Sequence, residues 1–395
     1  MKPKFLIIFV AISFVLASCS TKTVNSYDAS TIDILHSYPK KDISLQSIAD
    51  IEYVALETTN DVLLGGRCML SYVSDKYIVV WEEMGNVFVF GRNGKIVTHF
   101  NHRGQGNWEY LTISGLVFDE KNEEIFVANM RSTCQIQVYS LLGRHKRTLN
   151  YPKDFELKIF DFDDETLLVY DEKGLLPDID SKDSYSKNPY MFLSKKDGSI
   201  VSALSITLPV RLPYNVNEEV EINGRKTRLF QIIYPRIITI RNGQDFVISD
   251  VSSDTIYKLT KNKELSPIIN RSPSVHSSSL VKTLNVTALT DNFILMNLRS
   301  FDFNEKNNFS TIISFLHEFK SSLTSEVKFL NDDFPSGTWN PERINNPQKN
   351  IAACLIQVPS LYEAFKGKQL KGDLEKLIAT LKDDDNPIIM IVKFK

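Results

Sequence analysis

From residue 50 onward the chain alternates short apolar runs with polar turns, the pattern of half-buried strands. One unit reads KYIVVW at 76–81, NVFVF at 86–90, a turn at Gly91-Arg92-Asn93-Gly94, then KIVTHF at 95–100. A second has EEIFVAN at 123–129, QIQVYS at 135–140, a turn around Gly143 and RHKRTL at 144–149. A third has TLLVYD at 166–171, PYMFLS at 189–194, a turn at Lys195-Lys196-Asp197-Gly198 and SIVSAL at 199–204. The fourth has DFVISD at 245–250, TIYKLT at 255–260 and ELSPII at 264–269; the fifth has NFILMNL at 292–298, STIISFL at 310–316 and LTSEVKFL at 323–330. Asn-Gly and Asp-Gly turns tolerate the positive φ that tight hairpins require. The turn glycines 94, 143 and 198 stand 49 and 55 positions apart, close to the period of propeller blades lengthened by loops. A lone blade cannot bury both faces, so the units must stack about an axis. Five units and a remainder predict an all-β, six-bladed β-propeller.

The remainder carries the one helical pattern. Ser360 and Glu363 have capping-box spacing, and Leu370, Leu374, Leu377, Ile378 and Leu381 recur on one helical face. Gly372 is expected to separate two short helices, forming an insertion in the last blade whose apolar face packs on that blade's outer edge. A strand at 388–394 follows, and residues 51–56 are expected to complete the same sheet, closing the ring and removing its open edges.

The first residues read differently. Lys2 and Lys4 precede an apolar run at 5–17 that is too short to span a bilayer as a helix, and it ends in Leu16-Ala17-Ser18-Cys19. Small residues before a cysteine, directly after an apolar run, resemble the lipobox of bacterial lipoproteins. The resemblance implies cleavage after Ser18 and acylation of Cys19, a membrane anchor needing no transmembrane helix. Three regions are therefore expected: a signal peptide at 1–18, a lipidated N-terminus and flexible tether at 19–48, and the propeller at 49–395. No acid lies between Cys19 and Asp28, which favours the periplasmic side of the outer membrane over the cell surface.

Composition changes the picture in two respects. The 24 Phe, 15 Tyr and 3 Trp suit packing between stacked sheets. Formal charge is −2, and −4 once Lys2 and Lys4 are removed, which speaks against nucleic acid as a partner. Cys68, Cys134 and Cys354 are too widely spaced for a zinc or redox motif and read as buried small apolar residues. Phosphate-loop, nucleophile-elbow and zinc-helix motifs do not occur. His99 and His102 are the only close histidines, a poor metal geometry, and neither a metal nor a cofactor is expected. The acidic clusters at Asp161, Asp163, Asp164 and Glu165 and at Asp383, Asp384 and Asp385 read as solvated turns.

Several spaced motifs then resemble one family. IEYVALET at 51–58, SDTIYKL at 253–259 and DDNPIIMIV at 384–392 are similar to segments of the six-bladed, NHL-like β-propeller lipoproteins of Bacteroidota. That family's G-x-G-P-x-E-[FY] loop is matched by Gly104-Gln105-Gly106-Asn107-Trp108-Glu109-Tyr110, with Asn107 in place of proline. The resemblance implies the fold and the anchor but no chemistry. Loops that cross from one blade to the next gather on the face where propellers commonly bind ligands. Arg103, Trp108, Glu109, Tyr110 and Arg131 fall on or near the first such crossing: the rings could stack on a sugar or peptide and an arginine could hold a carboxylate. The alternative is that Trp108 and Tyr110 pack between blades while Glu109 caps a turn. The function expected is a lipid-anchored envelope module that binds a glycan, peptide or partner protein. An enzyme with its site at the axial channel, a lyase, lactonase or glycan hydrolase, is the other possibility.

Overall fold

The computed structural model describes residues 29–65, 67–129, 134–152, 155–172, 188–213, 215–222, 225–233, 237–277, 280–301, 311–335 and 348–395. Cys19 and Arg131 lie outside them. Six sheets succeed one another around an axis as a β-propeller, and a separate two-stranded hairpin projects between the third and fourth.

The first blade comprises Cys68–Val73, Tyr77–Glu82, Asn86–Gly91 and Ile96–Asn101; the second comprises Ile113–Asp119, Glu124–Asn129, Gln135–Ser140 and His145–Asn150. Leu157–Asp161, Thr166–Asp171, Tyr190–Ser194 and Ile200–Ala203 make the third. The fourth and fifth run from Ile237–Asn242 to Leu265–Ser272 and from Lys282–Leu289 to Thr324–Leu330. In each of these five blades the apolar runs at 76–81, 123–129, 166–171, 245–250 and 292–298 occupy the second strand, not the first. The innermost strands mix large apolar residues with small and polar ones. Ser71 donates to the Leu116 carbonyl (2.9 Å), and Gly115 leaves its side-chain space to Ile159. Such small and polar residues interrupt the apolar stretches of these strands.

The sixth sheet has three strands among the described residues: Ile351–Ile356, Ile388–Phe394 and Ala49–Ala55. The last pair is in register from Ile388 opposite Ala55 to Phe394 opposite Ala49, so an N-terminal strand does close the ring. The turn before Ile351 sits with the first inner turns of the fourth and fifth blades: Asn350 N donates to Asn242 Oδ1 (2.7 Å) and Asp291 N to Asn350 Oδ1 (2.9 Å). By that position Ile351–Ile356 corresponds to a second strand and Ala49–Ala55 to a fourth.

Two strands were not expected. Ser30–Asp33 pairs in parallel with the outer strand of the fourth blade and Lys40–Ser44 with that of the fifth. The N-terminal segment thus wraps the rim from blade four to blade six, and residues 30–48 belong to the folded body rather than to a tether.

The helices Val358–Lys366 and Gly372–Ile378 lie between the strands Ile351–Ile356 and Ile388–Phe394 and bury Leu361, Leu370, Leu374 and Ile378 against Tyr53, Ala55 and Ile388 of the last blade. The expected capping box does not form. Gln357 occupies the N-cap, Pro359 sits in the first turn where its missing N–H is harmless, and Ser360 Oγ donates to the Gln357 carbonyl. Gly372 opens the second helix at φ +59° with Asp333 against it. Among the described residues no helix is long and apolar enough to cross a membrane.

Core packing lies between blades. Phe88, Phe90, Val54 and Ile389 fill the seam from the sixth to the first, and Tyr139, Tyr110, Phe118 and Val89 the next.

Candidate functional site

The segment 102–112 crosses from the outer strand of the first blade to the inner strand of the second. It is a closed loop. Gly104 N donates to the Tyr110 carbonyl (3.0 Å) and Tyr110 N to the His102 carbonyl (3.2 Å), so the chain pairs with itself across Arg103 and Tyr110. Between them the Glu109 carboxylate folds back to accept from Gly106 N (2.8 Å). A Cβ on Gly104 would lie 1.9 Å from Glu109 Oε2, so the glycine spacing and the glutamate are one device.

Tyr110 is wholly buried. Its hydroxyl donates to the Gly85 carbonyl (2.7 Å) and accepts from His102 N (3.1 Å), tying the loop to the first blade. Burial pushes its phenol up to about 12, with the His102 amide working against that rise. The second blade holds the other side: Tyr139 OH donates to the Trp108 carbonyl (2.5 Å) and Gln137 Nε2 to the Asn107 carbonyl (3.2 Å).

Trp108 itself faces out, 45% exposed, its ring edge-on to His102 at 5.3 Å. His102 is stacked on Tyr139 (5.0 Å) and its Nε2 stands 2.7 Å from the Gly143 carbonyl, so that nitrogen carries the proton. Arg103 is exposed on the same loop, with its amide held by Asn101 Oδ1 (2.9 Å). Exposed Met84 and Leu111 belong to the same group of loops.

The structure therefore sorts the five residues proposed from sequence. Glu109 and Tyr110 are turned inward and build the loop. Trp108 and Arg103 present side chains to solvent, and Arg131 lies outside the described residues. His99 stacks on Phe88 at 4.4 Å. No disulfide joins Cys68, Cys134 and Cys354, and only Cys354 is buried as expected, the other two being half-buried.

Two polar clusters were not anticipated. On the long crossing from blade three to blade four, buried Arg211 donates Nη2 to the Asp171 carbonyl (2.9 Å) and covers the Tyr170 ring at 4.8 Å. Beside it Tyr190 OH donates to Asp250 Oδ2 (2.9 Å), and Asp250 Oδ1 accepts from Ser252 N (2.8 Å). This cluster fastens the crossing to the ends of the strands beneath it. A lone arginine in a segment without periodicity carries no sequence signal.

The second lies on the opposite face. Lys195, 5% exposed, places its ammonium 2.7 Å from Asp119 Oδ2 and 2.8 Å from Asp161 Oδ1, while Asp161 Oδ2 meets Arg241 Nη1 at 2.9 Å. Asp161 Oδ1 meets the ammonium as an ion pair rather than an aligned hydrogen bond. Asp161 is thus no solvated turn residue. Asp163, from the same run, does cap a turn, accepting from Thr166 N (2.6 Å) and Glu165 N (2.9 Å).

Residues 29–393 match a family described as a domain of unknown function (DUF4934). A crystal structure from Bacteroides fragilis, named as a candidate exported protein, superposes with a TM-score of 0.63 at 15% identity, covering 93% of this chain and 99% of that one. A member of the DUF4221 family from Bacteroides vulgatus superposes with a TM-score of 0.50 at 10% identity, covering 89% and 99%. At such identities the likeness is one of fold. No curated protein sequence matches the chain.

Proposed function

The chain belongs to the DUF4934 family, and from that premise we propose that it is a lipid-anchored propeller of the bacterial envelope that binds a glycan or peptide through the crossing-loop face around Trp108. The observation that carries the binding assignment is the indole itself. A large aromatic left 45% exposed on a loop held by both neighbouring blades is a preorganised stacking surface, so little conformational freedom is lost when a ligand lands on it. Exposed Arg103 on the same loop supplies a fork for a carboxylate or a sugar hydroxyl.

Glycan and peptide arrays probed with the mature protein should give hits that Trp108→Ala weakens by about tenfold or more, with stability held within about 1 kcal/mol because the ring is half exposed. Unchanged hits in the variant, or arrays without hits, would sink the assignment.

Envelope placement rests on the run 1–18 and on Cys19, and the export named for the Bacteroides fragilis relative agrees with it. Metabolic labelling with an acyl analogue should mark the wild type and leave Cys19→Ala unmarked; a labelled variant refutes lipidation. Protease added to intact cells should leave the protein uncut if it faces the periplasm.

A further inference from the structure

A second site lies on the rim, away from Trp108, where the N-terminal segment leaves the fourth blade. After Ser30–Asp33, Ile34 N donates to the Ser272 carbonyl (2.8 Å) and Leu35 N to Asp33 Oδ1 (2.9 Å). Held in this way, Ile34 and Leu35 wall a pocket of about 500 Å³ together with Arg271, Pro273, Leu280 and Lys282. The volume is in the range of small-molecule sites.

The chemistry of the lining is lopsided. Arg271 is 8% exposed and rigidly mounted: Nε donates to the Pro273 carbonyl (3.1 Å) and Nη1 to the Lys282 carbonyl (2.5 Å). Both hydrogen-bond partners are neutral, and Asp254 forms a long ion pair 3.8 Å from Nε. Among the described residues Nη2 meets no hydrogen-bond partner. The half-buried Lys282 adds a second cation. Asp33, next to Ile34, is exposed and engaged by the Leu35 amide. Ile34, Leu35, Pro273 and Leu280, all apolar, share the lining.

We propose that this pocket binds a small carboxylic acid with an apolar body. The carboxylate accepts from Arg271 Nη2 and the Lys282 ammonium, and the hydrocarbon lies on Ile34, Leu35 and Leu280. A charge-assisted bond to a buried guanidinium is stronger than a neutral one, and the arginine's fixed mounting means that no rotamer freedom is lost on binding.

Octanoate is the probe, titrated calorimetrically into the mature protein, with octanol and acetate as the arms lacking the charge and the apolar body. Octanoate should bind, and each control should bind at least about tenfold more weakly. Lys282→Glu leaves its own backbone carbonyl, and so the Arg271 mounting, in place; it should weaken octanoate by about tenfold or more. Ser277→Trp, on the pocket wall, should block it. Amide exchange at Ile34 and Leu35 should slow with octanoate present. Octanol binding as tightly as octanoate, octanoate failing to bind the wild type, or either variant binding it unchanged would overturn the proposal. The Trp108 face is untouched by these substitutions, so its array hits should persist in both variants.

Discussion

Lys195→Ala is expected to destabilise the protein by about 3–5 kcal/mol, the loss that follows when one member of a buried ion pair is removed and its partners stay buried. Lys195 comes from the outer turn of the third blade. Its ammonium joins Asp119 of the second blade to Asp161 of the third, and Asp161 passes the link to Arg241 of the fourth. Its backbone carbonyl accepts from Arg147 Nε (3.1 Å) and Nη2 (2.7 Å), and Arg147 forks onto Glu124. Burial alone would raise the Asp119 carboxyl, but the Lys195 contact overrides it and holds the group below its ordinary value. Burial would likewise lower the Lys195 ammonium, and Asp161 and Asp119 instead hold it above the usual range.

The sign of the pH dependence follows. A depressed carboxylate stabilises the wild type above the ordinary aspartate value of about 3.9, and that contribution is lost as pH falls through the folded-state value. In Lys195→Ala Asp161 keeps its contact with Arg241, but Asp119 is buried without its cation, so protonation relieves it. The variant should therefore gain stability as pH falls from about 7 to about 5, where the wild type has nothing to gain. Urea unfolding at both pH values checks this. A loss under about 1 kcal/mol, or variant and wild-type pH profiles that run parallel, would show the network to be energetically idle.

Gly94→Ala should be comparably severe, about 2–5 kcal/mol, by a different route. Gly94 has φ +79°, which penalises a side chain, and an added Cβ would lie 1.9 Å from the Ala55 carbonyl oxygen. Ala55 cannot yield freely, because it is paired with Ile388 at the ring closure. The turn glycine of each of the first three blades meets the outer strand of the blade before it: Gly143 meets Phe100, and Gly198 meets Asn150. Gly198→Ala, facing backbone atoms at 2.7 and 2.8 Å, should resemble Gly94→Ala, whereas Gly106→Ala faces only the flexible Glu109 side chain and should be mild. Hydrogen exchange should locate the damage in Gly94→Ala at the seam between the last and first blades. A Gly94→Ala protein as stable as the wild type would mean that the seam is looser than its contacts indicate.

These two sites show what a linear reading reaches. The second and third strands of five blades were legible because each has an apolar face, and the fourth strands because they follow a hairpin turn. The innermost strands were not, since Ser71, Gly115 and Thr283 are set by crowding near the axis. Ser30–Asp33 and Lys40–Ser44 escaped notice because edge pairing buries little: one residue of the first and none of the second is buried. The Gly104–Tyr110 motif was visible as a motif. Which members face inward depends on the Gly85 carbonyl and on Tyr139, 25 and 29 positions away from Tyr110. Lys195 looked like an ordinary turn lysine, for its burial exists only once three blades are stacked.

The wrapping of the N-terminal segment also bears on how the protein is made. Ala55 leaves the ribosome 333 residues before Ile388, the strand partner it needs. Ser30–Asp33 and Lys40–Ser44 likewise wait for blades assembled from later sequence. Early blades can stack as they emerge, but the ring has no closed form until distant segments meet, and such long-range pairing is slow. The nascent chain must therefore persist as an open arc with bare strand edges, the state in which association with other chains is most dangerous.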